Sequence, residues 1–591
     1  MLIIYYLKKT IISIKNIGFR LTLVKIKNLL HRTSHVSPLK KHLYLSKKEK
    51  SLQVNYVFQK NIKISIITPV YNTPKKFLIE MIESVIKQTY GNWELCLTNG
   101  SGAEHEYVKN ICEKYAQEDK RIIYKKLEKN GGISENSNSA MELASGDYFA
   151  LLDHDDILHP AALYEVMNVI CNENADFIYT DEANFYNSSI FFRHHKPDYA
   201  PDYLCSCNYI CHFTVFSRQL MEKAGKFNSM FDGSQDHDLF LRYTQNASKI
   251  SHISKLLYFW RTHKKSTSFD VSVKPYAITA SENALRKHLT DLNITGDVES
   301  IEKLPGLYRI KYAITGQPLI SILIPNKDNI SLLKNCINSI IEKSTYKNYE
   351  IIIIENNSTE ESIFKYYEDL KKYSNIKVVF WEGKGFNHSA LNNFGINYAN
   401  GEHLIFLNND IEIITPQWID EMLMYCQRSD VGAAGNMLYY PNNKIQHAGV
   451  VLGLLGLAGH IYKNFPRGSN GYMGKLKTAQ NMSAVTAACM MVKKSAFQEV
   501  GCFSEDFYEA FNDVDLCLKI RKAGYLIVWT PFSEAYHHES KTRSLPDTPE
   551  KVKEFDRIVD MFKNKWKKEM KAGDPYYNRN FSLNEFDYRL K

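Results

Sequence analysis

The chain has 591 residues, enough for several domains that each bury a core, and its composition of 44% apolar and 24% charged residues is that of an ordinary globular protein. The net charge of +9 sits almost wholly at one end: residues 1–50 carry twelve Lys/Arg against the single acid Glu49, so the remaining body is close to neutral. This argues against a nucleic-acid-binding body, the lack of an eighteen-residue apolar run against a transmembrane helix, and eleven scattered Cys against a disulfide scaffold.

Residues 1–59 form a basic segment and linker. Within 1–32, apolar residues such as Ile11, Ile14, Phe19, Leu23 and Leu30 alternate with Lys8, Lys15, Arg20, Lys27 and Arg32. This is the composition of a helix lying in a membrane interface beside anionic lipid, with a helix packed on the protein body as the alternative. Small-residue cleavage signals are missing, so a secretory leader fits poorly. Residues 33–59 read as a polar linker.

From Lys63 the pattern alternates strand and helix: strand Ile64–Thr68, helix Phe77–Lys87, strand Trp93–Leu97, helix Glu104–Ala116, strand Ile122–Lys125, helix Asn136–Ala144 and strand Tyr148–Leu152. Such alternation predicts an α/β fold, a mainly parallel sheet with helices on both faces. The last of these strands runs straight into Asp153, Asp155 and Asp156. A buried strand must release carboxylates at its C-terminal edge, where open α/β sheets bind ligands. In an extended chain Asp153 and Asp155 share one side, which suits a hard divalent cation holding phosphate oxygens. The alternative is a helix N-terminus starting at Ile157, where acids suit the dipole.

The pattern then repeats. Ser65 in Ile64–Pro69 matches Ser321 in Pro318–Pro325, and Asp155 matches Asp410 in His403-Leu-Ile-Phe-Leu-Asn-Asn-Asp, offsets of 256 and 255. Two distant landmarks at one offset imply duplication of a whole domain. Gln235-Asp236-His-Asp238-Leu answers Asn512-Asp513-Val-Asp515-Leu, and His263-Lys-Lys-Ser266 answers His537-His-Glu-Ser540, at offsets about twenty larger. An insertion must therefore lie in the second copy, and the Gly-rich stretch Gly449–Gly474 reads as an inserted loop. The expected domains are residues 60–268 and 318–545, a structured bridge at 269–317 with a helix near Pro275–Leu292, and a C-terminal helix and tail at 546–591. Cys205, Cys207, Cys211 and His212 lie within eight residues, unlike the paired spacing of zinc sites, and read as buried thiols.

The ordered set Pro69-Val-Tyr71-Asn72, Gly131-Gly-Ile-Ser134, Leu152-Asp-His-Asp-Asp156, Gly233-Ser-Gln-Asp-His-Asp238 and Trp260-Arg-Thr-His263 resembles the family 2 inverting nucleotide-sugar glycosyltransferases. The resemblance implies two GT-A domains in tandem and likens the chain to bacterial enzymes that build O-antigen, capsule or rhamnan-type glycans. It assigns the base that deprotonates the acceptor hydroxyl to Asp236 and Asp513, although helix capping would also explain each acid taken alone. It implies Mn²⁺ or Mg²⁺ held by Asp153, Asp155 and His263 in the first copy, and by Asp410 with His537 in the second, where Asn408 replaces the first acid. Donor contacts would come from Pro69, Tyr71, Asn99, Asp153, Glu355, Asn408 and Arg261, the last pairing with diphosphate. Asn99 departs from the acid expected beside the nucleobase, and Glu355 keeps it. His447, His460, Tyr439, Tyr440, Tyr462 and Phe465 offer an acceptor wall, with ordinary packing as the alternative. The expected partners are nucleotide-sugar donors, a lipid-linked or growing glycan and the inner membrane face, with a cytoplasmic location and no nucleic acid. The competing readings are a second copy that only binds glycan, and nucleotidyl transfer, which a missing Gly-rich triphosphate loop disfavours.

Overall fold

The computed structural model describes residues 36–263, 275–538 and 548–591. The basic helix expected at 1–32, and Ser266 and Ser540 of the two His-x-x-Ser motifs, lie outside these residues. The chain divides into two compact units, one of Met1–Tyr199, Cys207–Asn293 and Val298–Tyr308, the other of Ala200–Ser206, Ile294–Asp297 and Arg309–Lys591.

In the first unit the sheet runs Ile122–Lys126, Trp93–Asn99, Ile64–Val70, Tyr148–Leu151, Thr214–Ser217, Phe177–Tyr186 and Ile250–Arg261, whose end also pairs with the short strand Ile157–Leu158. The second unit keeps the order with Ile376–Phe380, Tyr349–Glu355, Ile320–Asn326, His403–Leu407, Cys489–Lys493, Val431–Tyr439, Leu526–His537 and Ile411–Ile413. Strand directions agree as well: four parallel strands, one antiparallel insert, then a parallel pair closed by a short antiparallel strand.

The reason for the sheet is visible at its centre. Ile64–Val70 and Trp93–Asn99 are buried at every position, as strands covered on both faces must be. Helix Lys75–Ile86 lays Leu78, Met81, Ile82 and Val85 on the sheet, and helix Ile330–Lys343 lays Leu333, Cys336, Ile337 and Ile340. Both sets follow the spacing of one helical face.

The landmark serines do the same work twice. Ser65 Oγ donates to Glu94 (2.6 Å) and accepts the Gly146 N–H (2.9 Å), and Ser321 Oγ donates to Glu350 (2.6 Å) and accepts the Gly401 N–H (2.8 Å). A Cβ on Gly146 would come within 2.6 Å of the Lys63 carbonyl, and one on Gly401 within 2.6 Å of the Leu319 carbonyl, so only glycine fits. Each knot fastens the start of the carboxylate-bearing strand to the next two strands on one side of it.

Two expectations change. The stretch 33–59 is not a featureless linker: it holds helices Leu39–His42 and Lys47–Val54, the second opened by a capping box between Ser46 and Glu49. The inserted segment Gly449–Gly474 folds as a hairpin, Val450–Leu452 against Ala458–His460, and its Tyr462 is core, stacked 5.5 Å from Tyr588 of the tail. Apolar side chains in the insertion and the tail cover one another, which no local pattern in either reveals. The helices Pro275–Asp291 and Pro549–Lys565 form as expected.

Burial alone would raise the Glu94 carboxyl, but Lys63, Ser65 and Ser145 bind its charged form and hold it at about 2. A carboxylate held below its unfolded value stabilises above about pH 4.5, and the contribution fades as pH falls toward 2. Glu94→Gln should therefore cost on the order of 2–3 kcal/mol at pH 7 and much less near pH 2.5. Urea unfolding of the first transition at several pH values measures this, and a pH-independent difference would refute it.

Candidate active sites at the strand ends

In the first unit the chain leaves strand Tyr148–Leu151 and turns, with the Asp156 N–H donating to the Asp153 carbonyl (3.3 Å). Asp153 and Asp155 thus stand on a turn, not on the extended run expected. Nor does a helix follow: Ile157–Leu158 pairs antiparallel with Tyr258–Phe259. That pairing returns the end of the last long strand to the carboxylates, and His263 Nε2 lies 2.9 Å from Asp155 Oδ2.

The third acid has a different task. Asp156 is buried, accepting from Tyr258 OH (2.5 Å) and the Arg261 N–H (2.6 Å), which ties the turn to the last strand. Arg261, expected at the diphosphate, is buried instead. Its guanidinium lies between the rings of Phe77 and Phe185, pairs with Glu80 (2.8 Å) and donates to the Asp155 carbonyl (2.6 Å).

The electrostatics separate the acids. Burial raises the Asp153 carboxyl, and the neighbouring charges of Asp155 and Asp236 add to this against His212. Burial would also raise Asp155, but the His263 hydrogen bond and the charges of His154, His263 and Arg261 bring it below the usual carboxylate range. Asp156 is pushed well above that range by burial first, then by Asp155 and Asp153.

Asp236 is the second residue of helix Gln235–Asn246, and its Oδ2 accepts from Asn208 Nδ2 (3.0 Å). Gly233, at φ +100, brings this helix start against helix Pro275–Asp291, where a Cβ would lie 2.6 Å from the Tyr276 ring. Ser234 joins the same support through Ser281 (2.6 Å). The other acid of the motif, Asp238, is buried against Arg242 (2.6 Å).

In the second unit Asp410 is buried, with His537 Nε2 3.2 Å from its Oδ1, and Asn408 Nδ2 lies 3.4 Å from the same nitrogen. Gln446 Oε1 is 2.8 Å from His537 Nδ1 and fixes the ring, while His538 turns away to Glu412 (3.0 Å). Burial would raise Asp410, but the His537 hydrogen bond and charge lower it. Asp513, second residue of helix Asn512–Lys522, accepts the Ala487 N–H at Oδ2 (3.2 Å). Asp515 is buried between Trp566 Nε1 (2.9 Å) and Lys565 (2.6 Å), as Asp238 is between its own partners.

Asn408, His537 and Asp513 line one cavity of about 230 Å³. His388, Gln446, Thr486, Lys463, Glu509 and Asn512 line it too, and sequence reasoning missed them. A signal existed for His388, which follows Gly385-Phe-Asn where the first copy has Gly131-Gly-Ile. Of the expected acceptor wall, His460 lines the cavity with His447 behind it at 2.8 Å, whereas Tyr439 and Tyr462 are core residues.

The expected nucleobase contacts, each at the end of a strand, are engaged by neighbouring elements. Asn99 donates to Tyr124 OH (3.0 Å) and accepts the Ser101 N–H (2.8 Å), and Glu355 accepts from Tyr367 OH (2.5 Å) and Ser358 Oγ (2.8 Å). Pro69 is buried within its strand, and Tyr71 just beyond it is exposed.

A divalent cation fits these edges. Among the described residues no three His, Cys, Asp or Glu side chains form a group that could hold a metal ion by themselves, so a cation here would need diphosphate and water to complete its shell. The carboxylate–histidine pairs Asp155–His263 (2.9 Å) and Asp410–His537 (3.2 Å) are the groups that would hold it.

The Glycosyl transferase family 2 model matches residues 65–226 and 321–501, more than half of the chain and once in each unit. The chain belongs to glycosyl transferase family 2. Both matches include the carboxylate turn and stop short of Asp236 and Asp513. An uncharacterized protein, y4gI, of Sinorhizobium fredii is 42% identical over 89% of the chain, and the O-antigen biosynthesis protein RfbC of Myxococcus xanthus is 33% identical over 89%. The chain spans about half the length of these relatives, 58% and 41%. Among solved structures, S. aureus TarS 1-349 in complex with UDP is similar at 19% identity, covering 39% of this chain and 71% of that one with a TM-score of 0.30.

Asp156→Ala would leave the Tyr258 hydroxyl and the Arg261 N–H without their acceptor. We expect a loss of about 2–4 kcal/mol in the first unfolding transition in urea, and a change under 0.5 kcal/mol would contradict the clamp.

Proposed function

We propose that the protein is a bifunctional glycosyltransferase that moves sugars from nucleotide-sugar donors to a growing or lipid-linked glycan, with inversion, for cell-surface polysaccharide synthesis. The observation that carries this reading is that a strand-end carboxylate, a histidine at or just past the end of the last long strand and an aspartate at a helix start recur on one strand order in both units.

In each copy the aspartate accepts the proton of the acceptor hydroxyl as its oxygen bonds to the anomeric carbon from the face opposite the diphosphate. Asp236 and Asp513 take this role, and the C–O bond to diphosphate breaks. Asp155 with His263, and Asp410 with His537, would hold Mn²⁺ or Mg²⁺, whose charge offsets that of the departing diphosphate. Asp153 and Asn408 stand at matching positions of the two turns, so the first copy offers one more carboxylate and depends more steeply on the cation. The loops built on Tyr71, Asn99 and Glu355 face the donor. Acceptor recognition in the second copy falls to the cavity wall around His460 and His388.

Product analysis with a panel of nucleotide sugars and Mn²⁺ tests this. Asp236→Asn and Asp513→Asn should each abolish a different linkage, by at least 1,000-fold. Loss of all transfer from Asp236→Asn alone, with Asp513→Asn unchanged, would make the second copy a glycan-binding module, a reading that Asn408 favours.

The basic residues 1–50 would hold the protein on the cytoplasmic face of the membrane, where a lipid-linked acceptor lies. Among the described residues no helix is long and apolar enough to cross a membrane. Deleting residues 1–50 should release the protein from anionic vesicles in a flotation assay; unchanged flotation would overturn the anchor.

A further inference from the structure

Two features of the first unit have no part in the chemistry above: a buried ionic network on strand Phe177–Tyr186, and an asparagine with one polar end unmet. Asp181 binds His195 Nδ1 (2.7 Å), His252 Nε2 (2.8 Å) and the Lys196 N–H (3.0 Å), and Glu182 binds His194 Nδ1 (3.1 Å) and Lys196 Nζ (3.3 Å). Such a network is costly to bury unless it holds something in place. What it holds is the loop 208–212. Lys196 Nζ donates to the carbonyls of Ile210 (2.6 Å) and His212, and Glu182 Oε2 accepts the His212 N–H (3.0 Å). Tyr209, fully buried, anchors the loop against Tyr179.

Asn208 opens that loop. Its Nδ2 donates to Asp236 Oδ2 at 3.0 Å, while its Oδ1 is buried with no hydrogen-bond partner. A carboxylate requires a donor, so the amide cannot be turned over to satisfy the oxygen. Leaving a buried amide oxygen unmet costs about 1–3 kcal/mol, which an asparagine serving packing alone would not retain.

The second unit gives the contrast. Phe177 pairs with Phe216 in the first sheet and Ala433 with Val492 in the second, so Asp181 and Glu182 correspond to Met437 and Leu438. The ionic network is replaced by apolar side chains there. The donors to the matching aspartate are backbone groups, the Ala487 N–H at 3.2 Å from Asp513 Oδ2 and the Val514 N–H at 2.8 Å from Oδ1. In both copies the helix-start acid is met by N–H donors, a side-chain amide on Asp236 and backbone groups on Asp513.

We infer that Asn208 is a positioning residue of the first copy, orienting the Asp236 carboxylate toward the acceptor hydroxyl from a loop that the Glu182–Lys196 pair fastens, a task that backbone performs for Asp513. This rests on the reading of Asp236 as the base. A single N–H on Oδ2 fixes the carboxylate plane and leaves Oδ1 to take the proton. Without it the carboxylate rotates, and misalignment of a base by a fraction of an ångström to 1 Å costs up to about 100-fold in rate.

The test uses the full chain carrying Asp513→Asn, assayed with Mn²⁺ for the linkage that remains. Asn208→Ala should lower kcat about 10- to 100-fold with the donor KM within about twofold. Asn208→Asp, nearly isosteric, should move the acidic limb of kcat/KM to higher pH, because a second carboxylate facing Asp236 disfavours its charged form. Asn208→Gln, which keeps the donor on a longer arm, should recover part of kcat. If Asn208→Ala fails to fold by thermal denaturation, the Asn208→Asp profile decides alone. Wild-type kcat in Asn208→Ala, or an unmoved limb in Asn208→Asp, overturns the inference while Asp236→Asn remains inactive. Activity retained in Asp236→Asn itself would instead overturn the base assignment beneath it.

Discussion

The structure depends on one pairing. A short strand after the carboxylate turn, Ile157–Leu158 or Ile411–Ile413, runs antiparallel to the end of the last long strand and stops that strand beside the acids. A parallel sheet alone would leave its strand ends side by side with nothing crossing them. The antiparallel return adds a side chain from far along the sequence, His263 or His537, to a carboxylate made much earlier. The turn must therefore be rigid, and in the first unit the buried Asp156 makes it so by binding the backbone and the tyrosine of the strand it faces.

The two units solve the same mechanical problem with different chemistry. The first relies on buried polar side chains: Asp156 under the turn, Glu182 and Lys196 under the neighbouring loop, Asn208 at the helix acid. The second uses apolar packing and backbone, with Ile411 where Asp156 stands, Met437 and Leu438 for the acid pair, and an alanine N–H for the asparagine. Buried ionic groups confer a defined arrangement at a desolvation cost, whereas backbone donors cost nothing further once the strand is formed.

Much of this was legible in the sequence. Strand–helix alternation and the repeat offset predicted two parallel-centred sheets, because strands covered on both faces write themselves as apolar runs and helices as one-sided ones. The acids after the fourth strand and at the helix start stood out because charge beside a buried run needs a reason. The spacing picked out Asp153 and Asp155 and left Asp156 without a role: it is structural, and only its partners, over a hundred residues away, say so. Arg261 is alike. An arginine two residues before His263 looks available in the sequence, and the structure encloses it with Phe77, Phe185 and Glu80.

The sequence by itself determined the fold class, the duplication and the residue types that carry chemistry, since periodicity and local charge follow from the chain's own spacing. Tertiary structure alone decided which acids are open and which are buried, that the Gly449–Gly474 insertion and the aromatic tail cover each other, and that His388, Gln446 and Asn512 meet Asp513 in one cavity. The physical reason is that burial and hydrogen-bond partnership are pairwise properties of distant residues. A linear pattern records what each residue is, and only the closed sheet fixes what it faces.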